Sequence, residues 1–253
     1  MIATSIISFA NQKGGTGKTT TCINMGSVLG ANNYKVLIID FDPQANLSFT
    51  MGAQYSNSSI VDILENNSKS NDHIIKCDDF DLIPSNKELA DYEVQMASMK
   101  DRYNVLKNGL LTINKSSKYD FILIDCPPSL SLLTMNAFVA SQKIIVPMQL
   151  EVYSLQGLLK IIETIGDLNK SLNAQLQISG VLPVMYDKRR KVTNEILQHI
   201  KDNISVRVFE SYIRTDVRVV EAPSFGMSSM KYAPNSSAST DYKNFTYEFL
   251  NNN

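Results

Sequence analysis

Six short apolar runs rich in β-branched residues punctuate the chain, at residues 4–9, 35–40, 81–84, 121–125, 143–147 and 177–182. Most are apolar at consecutive positions rather than alternate ones, the pattern of strands buried on both faces of a parallel sheet. Stretches with helical periodicity lie between them at residues 18–32, 87–113, 130–140, 154–172 and 192–201, with a last one at 240–250. This alternation predicts an α/β fold, a doubly wound and mainly parallel sheet with helices on both faces. Ligands of such sheets bind at the carboxyl ends of the strands, so the site is expected just after Phe9, Asp40 and Asp125. Residues 56–72, rich in Ser and Asn, read as a surface excursion with one short helix at 59–64. Residues 251–253 read as a frayed end.

Composition narrows the picture without changing it. With 253 residues, 43% hydrophobic and 19% charged, and no linker or internal repeat, the chain is expected to form one domain spanning residues 1–253. No apolar run approaches the roughly 20 residues that cross a bilayer, and the first nine residues lack a basic stretch and a small-residue cleavage site. The expected location is the cytoplasm, with no membrane partner. Cys22, Cys77 and Cys126 are odd in number and have no C-x-x-C spacing, so neither a disulfide framework nor a zinc site is indicated. The net charge of −1 is uneven: residues 188–231 carry nine basic against five acidic side chains, leaving −5 for the rest. A polyanion partner and a solvated charged face both fit that asymmetry.

The chemistry begins after the first apolar run, at Asn11-Gln12-Lys13-Gly14-Gly15-Thr16-Gly17-Lys18-Thr19-Thr20. Glycines let the backbone turn sharply and aim its N–H groups at a polyphosphate, while the following helix offers its positive end. Gly14 to Thr20 are therefore candidate phosphate contacts, with Lys18 on the β and γ phosphates and the Thr19 hydroxyl on Mg²⁺. A carboxylate pair, Asp40 and Asp42, ends the second run, and two residues of extended chain point both the same way, toward Mg²⁺ and the water near the γ-phosphate. Asp125, closing the fourth run before Cys126-Pro127-Pro128, has the arrangement that holds Mg²⁺ directly or through water.

The glycine loop departs from G-x-x-x-x-G-K-[ST], because Gln12 stands at its first glycine and Lys13 follows at once. K-G-G-T-G-K-T resembles the deviant Walker A box of the MinD/ParA superfamily of P-loop ATPases. That resemblance implies that Lys13 reaches across a dimer to the partner's nucleotide. D-F-D-P-Q-A-N at 40–46 resembles a ParA signature, which implies that Asp42 orients the attacking water and that Asp40 contacts the metal at one remove. E-A-P-S-F-G at 221–226 and P-V-M-Y-D-K-R at 183–189 resemble the ParA/Soj partition branch. By that resemblance Pro223 packs on the adenine, and Arg189 and Arg218 contact DNA without sequence preference. Two departures stand out: Val184 replaces a usual Thr, and Arg214-Thr215 stands where the branch often has Pro-Arg. The implied protein is a slow ATPase using ATP and Mg²⁺, an ATP-dependent homodimer on the nucleoid, with a ParB-like partner that stimulates hydrolysis and releases it from DNA.

Three other classes share parts of these motifs. A membrane-associated positioning protein needs a basic amphipathic C-terminal helix, and residues 241–253 offer only Lys243 as a cation. An iron–sulfur reductase needs two cluster cysteines per subunit, and Cys126, beside the expected Mg²⁺ site, and Cys77, in the variable region, give that poor support. A positioning ATPase for a cargo other than DNA would keep every nucleotide motif.

Overall fold

The computed structural model describes residues 4–65, 73–116, 119–172 and 175–252. In chain order its elements are β1 (Ser5–Phe9), α1 (Lys18–Ala31), β2 (Val36–Asp40), α2 (Asn46–Thr50), α3 (Ile60–Leu64), β3 (Ile75–Lys76), β4 (Asp81–Ile83), α4 (Glu88–Ala97), α5 (Val105–Ser116) and β5 (Phe121–Asp125). There follow α6 (Leu132–Ala140), β6 (Lys143–Met148), α7 (Val152–Leu172), β7 (Gln177–Tyr186), α8 (Lys191–Asn203), β8 (Ile213–Arg214) and α9 (Val217–Glu221). A 3-10 turn (Ala222–Phe225), α10 (Ser229–Tyr232) and α11 (Ser237–Asn251) complete the chain.

The strands form one sheet in the order β3-β4-β2-β5-β1-β6-β7-β8, parallel except for β3. The doubly wound expectation is met. Its period-2 alternation sorts the sheet's side chains into two cores. Ile7, Phe9, Val36, Ile38, Leu123 and Ile145 face α1 and α11, with Met25, Leu29, Tyr242, Phe245 and Phe249 packed over them. Ile6, Leu37, Ile39, Ile122, Ile124, Ile144 and Val146 face α3 to α8 on the other side. Each strand is thus covered on both faces, which is why its sequence reads as a continuous apolar run.

One expectation changes. The single helix expected over 87–113 is two, α4 and α5, separated by turns at residues 98–104. Asn136 of α6 fills that break, donating to Arg102 O and accepting from Leu106 N. The last helix, expected over 240–250, runs from Ser237 to Asn251 as α11, with Phe245 and Phe249 in the core; of the end expected to fray, Asn253 lies outside the described residues. The short helix expected over 59–64 is present as α3, with Ser59 and Asp62 forming a capping box, while residues 66–72 of the expected excursion lie outside the described residues.

The β3–β4 turn is seated on α1. A side chain at Gly30 would place its Cβ 1.8 Å from the carbonyl oxygen of Asp79, so only glycine lets the two backbones meet there. Gly166, within α7, has nothing within 4 Å of such a Cβ. Gly30→Ala should cost about 1–3 kcal/mol through forced separation of turn and helix, seen as a lower melting temperature. Gly166→Ala should raise it, since alanine is the better helix former by about 1 kcal/mol. A Gly30→Ala protein melting with the wild type would contradict the close packing described.

Candidate functional site

The sheet brings the three motifs together by register. Phe9 of β1 pairs with Asp125 of β5, and Asp125 pairs with Asp40 of β2, so the glycine loop and both acidic strand ends open at one edge. Gly15 and Gly17 hold the loop at φ 72°, in the left-handed region that glycine enters without strain. Gly17 caps α1, and no side chain caps the helix and no acidic residue sits in its first turn. Its first N–H groups are therefore left for an anion.

Lys18 is buried at the start of α1, and burial lowers its pKa against the opposing pull of Asp125, Cys126 and Asp42. The Thr19 hydroxyl donates to Asp125 Oδ2 at 2.6 Å. The other Asp125 oxygen, Oδ1, is buried with no hydrogen-bond partner. Burial and then the charge of Asp40 push the Asp125 carboxyl well above the usual carboxylate range. A buried acceptor without a donor is costly, and a cation beside it would remove that cost. The described residues hold no group of three or more His, Cys, Asp or Glu able to cage a metal alone. One carboxylate and one hydroxyl with phosphate oxygens and water is the donor set that suits Mg²⁺.

Asp40 and Asp42 do not face the same way. Asp40 is fully buried, and its Oδ2 accepts from the hydroxyl and the N–H of Ser48 while its Oδ1 accepts from the N–H of Asp42. Burial pushes its pKa up to about 6 in spite of these bonds. With both oxygens engaged, Asp40 anchors the turn into α2, and any influence on a metal is indirect. Asp42 turns into the cleft, accepting from the N–H of Gln44 through Oδ1. The strand ends at Asp40, so the extended spacing that would align the pair no longer applies.

The cleft, about 540 Å³, runs from Gly14–Thr20 and Asp42 to a second wall formed by Val184, Met185, Ile213, Val219, Val220 and Pro223. Pro223 therefore lies where an apolar surface could meet a flat base. The rest of that wall escaped sequence reading, because β8 and α9 have two and five residues and carry too little periodicity to register. Ser48 escaped similarly, in the five-residue α2. Lys13 is not among the cleft residues. Its ammonium sits on the outside of the loop, 2.7 Å from Glu151 Oε2, with 44% of its side chain exposed. Arg189 and Arg218 are exposed but paired, Arg189 in a two-point bridge to Asp187 and Arg218 at 3.4 Å from Asp216.

An uncapped helix end after a glycine loop, a buried lysine, and a threonine joined to a strand-end aspartate place this protein among the P-loop nucleotide-binding folds. Residues 4–178 match the AAA domain family. The chain is 35% identical to the chromosome partitioning protein ParA of Caulobacter vibrioides over 249 residues, 97% of this chain and 93% of that one. It is 36% identical to the sporulation initiation inhibitor protein Soj of Bacillus subtilis, covering 98% of each. Its fold is similar to that of cobyrinic acid a,c-diamide synthase from Mycobacterium smegmatis, solved with an ATP analogue and magnesium, with a TM-score of 0.85 and 29% identity over 98% of this chain and 95% of that one. The chain belongs to the AAA domain family and, within it, to the ParA/Soj partition ATPases. No helix among the described residues is long and apolar enough to cross a membrane, and the apolar side of α11 is used against α1.

The raised pKa of Asp40 has a pH signature. Its folded value, about 6, exceeds the unfolded value near 3.8, so the folded state holds the proton more tightly. The stability it contributes is complete below about pH 4 and is lost as pH rises through about 6. Denaturant unfolding of the nucleotide-free protein from pH 4 to 7 should therefore show wild type losing stability relative to Asp40→Asn. Parallel pH profiles for the two would contradict an ionising buried Asp40.

Proposed function

We propose that this chain is an ATP-driven DNA partition protein whose ATP-bound dimer binds DNA without sequence preference and lets go on hydrolysis. The reading is carried by the division of labour between two lysines: Lys18 is buried at the cleft, whereas Lys13 stands outside it on an exposed ion pair.

Within one protomer, the N–H groups of residues 14–20 and Lys18 bind the phosphates, and Pro223 packs on the adenine. Thr19 and Asp125 would hold Mg²⁺, which would supply charge neutralisation for the bound phosphates. Asp42 positions water for in-line attack, so catalysis is mostly placement and electrostatics, and turnover is slow until a ParB-like partner stimulates it. Exposed ion pairs contribute little, so Lys13 can exchange Glu151 for a phosphate held by a second protomer. A ligand shared by two subunits ties dimer stability to ATP. Arg189 can likewise exchange its partly exposed partner Asp187 for a DNA phosphate, and the Arg218 guanidinium can leave Asp216, which is buried but keeps bonds from Ser237, from Ala238 N–H and from the Arg218 N–H. In the dimer two copies of this surface act on one duplex, raising affinity through effective concentration. The protein would then reside in the cytoplasm on the nucleoid.

A second reading, a positioning ATPase for a cargo other than DNA, is favoured by one observation: both arginines already have carboxylate partners in their own chain. Salt-titrated DNA binding separates the two. With ATP and Mg²⁺, Asp42→Ala should bind nucleotide without turnover, run as a dimer in light scattering, and bind random duplex DNA with an affinity falling steeply with salt. Lys13→Ala in that background should return it to monomer, Lys18→Ala should abolish nucleotide binding, and Arg218→Glu should keep the dimer while losing DNA. Wild-type turnover by Asp42→Ala or an equally strong dimer without nucleotide would contradict the reading; a dimer that binds no DNA at low salt would favour the second.

A further inference from the structure

The base-side wall of the cleft is built from weak pieces. β8 has two residues and meets β7 across an irregular register, and α9 has five residues, none of them buried. From Ile213 to Glu221 only Ile213 and Asp216 are buried. A two-residue edge strand and a single helical turn do not hold position by themselves. Two carboxylates tie the segment to α11 instead. Asp216 Oδ2 accepts from the hydroxyl of Ser237 and the N–H of Ala238, at the start of that helix. Asp241, one turn further along α11, accepts three bonds from Arg214: from its N–H at 2.9 Å, from Nε at 2.9 Å and from Nη2 at 2.8 Å.

We propose that the Arg214–Asp241 pair is a positioning device for nucleotide binding, fixing the wall that carries Ile213, Val219 and Pro223 at the distance a purine requires from the phosphate loop. The proposal rests on the nucleotide reading of the cleft and adds residues to it. Arg214 lines the cleft and also a neighbouring recess with Lys188, Arg189 and Tyr212, so a polyanion contact is the competing assignment for its guanidinium. The geometry decides between them. The carboxylate of Asp241 is 7% exposed and takes both edge donors of the guanidinium as well as the backbone N–H, whereas the partner of Arg189 is 32% exposed and lies only two residues away in sequence. Giving up Arg214 would leave a buried carboxylate largely unpaired, while giving up Arg189 exposes its partner to water. Arg214 is therefore committed to its own fold. Tyr242, the next residue along α11, is buried in the core and also lines the cleft, so the helix that holds the wall is itself part of the site.

The test is the affinity of the full-length protein for a fluorescent ATP analogue with Mg²⁺, together with KM and kcat, for Arg214→Ala, Arg214→Lys, Asp241→Asn and the double Arg214→Ala/Asp241→Asn. Lys18→Ala serves as the control for nucleotide binding, and the melting temperature of each variant checks folding. Arg214→Ala and Asp241→Asn should each weaken binding about tenfold, the loss of one or two hydrogen bonds. KM should rise in proportion while kcat stays within about twofold, the mark of lost binding rather than lost chemistry. The double variant should bind no more weakly than the worse single, and Arg214→Lys, which keeps the charge and one bond, should fall between. Wild-type affinity in a folded Arg214→Ala or Arg214→Lys protein, or additive losses in the double, would overturn the proposal. So would a defect confined to DNA binding, which would assign Arg214 to the polyanion. If the wild type itself binds no ATP analogue, the nucleotide reading fails first, and Lys18→Ala will be indistinguishable from it.

Discussion

Buried negative charge organises this molecule. Asp40, Asp42 and Asp125 converge at the ends of adjacent strands with one buried lysine, Lys18, among them. Burying carboxylates is expensive unless each is protonated, hydrogen-bonded or beside a cation. Asp40 meets the cost with three hydrogen bonds and a raised pKa. Asp125, whose pKa is raised too, has Thr19 on one oxygen and no hydrogen-bond partner on the other. The site is therefore incomplete in electrostatic terms, and a divalent cation delivered with an anionic substrate would complete it. The same ligand would satisfy the open N–H groups of α1.

The remaining architecture keeps that arrangement in place. Register fixes Asp40 beside Asp125, and α1 is clamped against the core on one side and against α10 on the other. Asn24 of α1 accepts from the Ser229 hydroxyl and the Met230 N–H, joining the helix that begins at the phosphate loop to the segment that follows Pro223. The two ends of the cleft, 200 residues apart in sequence, thus share one helix as their common support. Function at each end depends on packing at neither end alone.

Much of this was legible in the chain. Residues 13–20 carry their chemistry locally, because a phosphate loop needs glycines, a lysine and a helix start in one contiguous stretch. The two cores were legible because parallel strands covered on both faces leave continuous apolar runs. What escaped depends on contacts between distant residues or on elements too short to show a period. Nothing near Lys13 announces Glu151, which lies 138 residues away. Nothing near Arg214 announces Asp241, and the departure at 214 was visible only as a difference from its relatives. Asp40 misled in the other direction: spacing of two residues aligns side chains only while the strand continues, and here it stops at the first of the pair.

Metal and nucleotide together complete the charge that the protein's own side chains leave unbalanced. Thermal unfolding of the wild-type protein with ATP and Mg²⁺, with ATP and EDTA, and with Mg²⁺ alone tests it directly. A large rise in melting temperature is expected for the pair and a much smaller one for either component alone, since each leaves part of the cluster unsatisfied. Equal stabilisation by ATP with and without Mg²⁺ would contradict it.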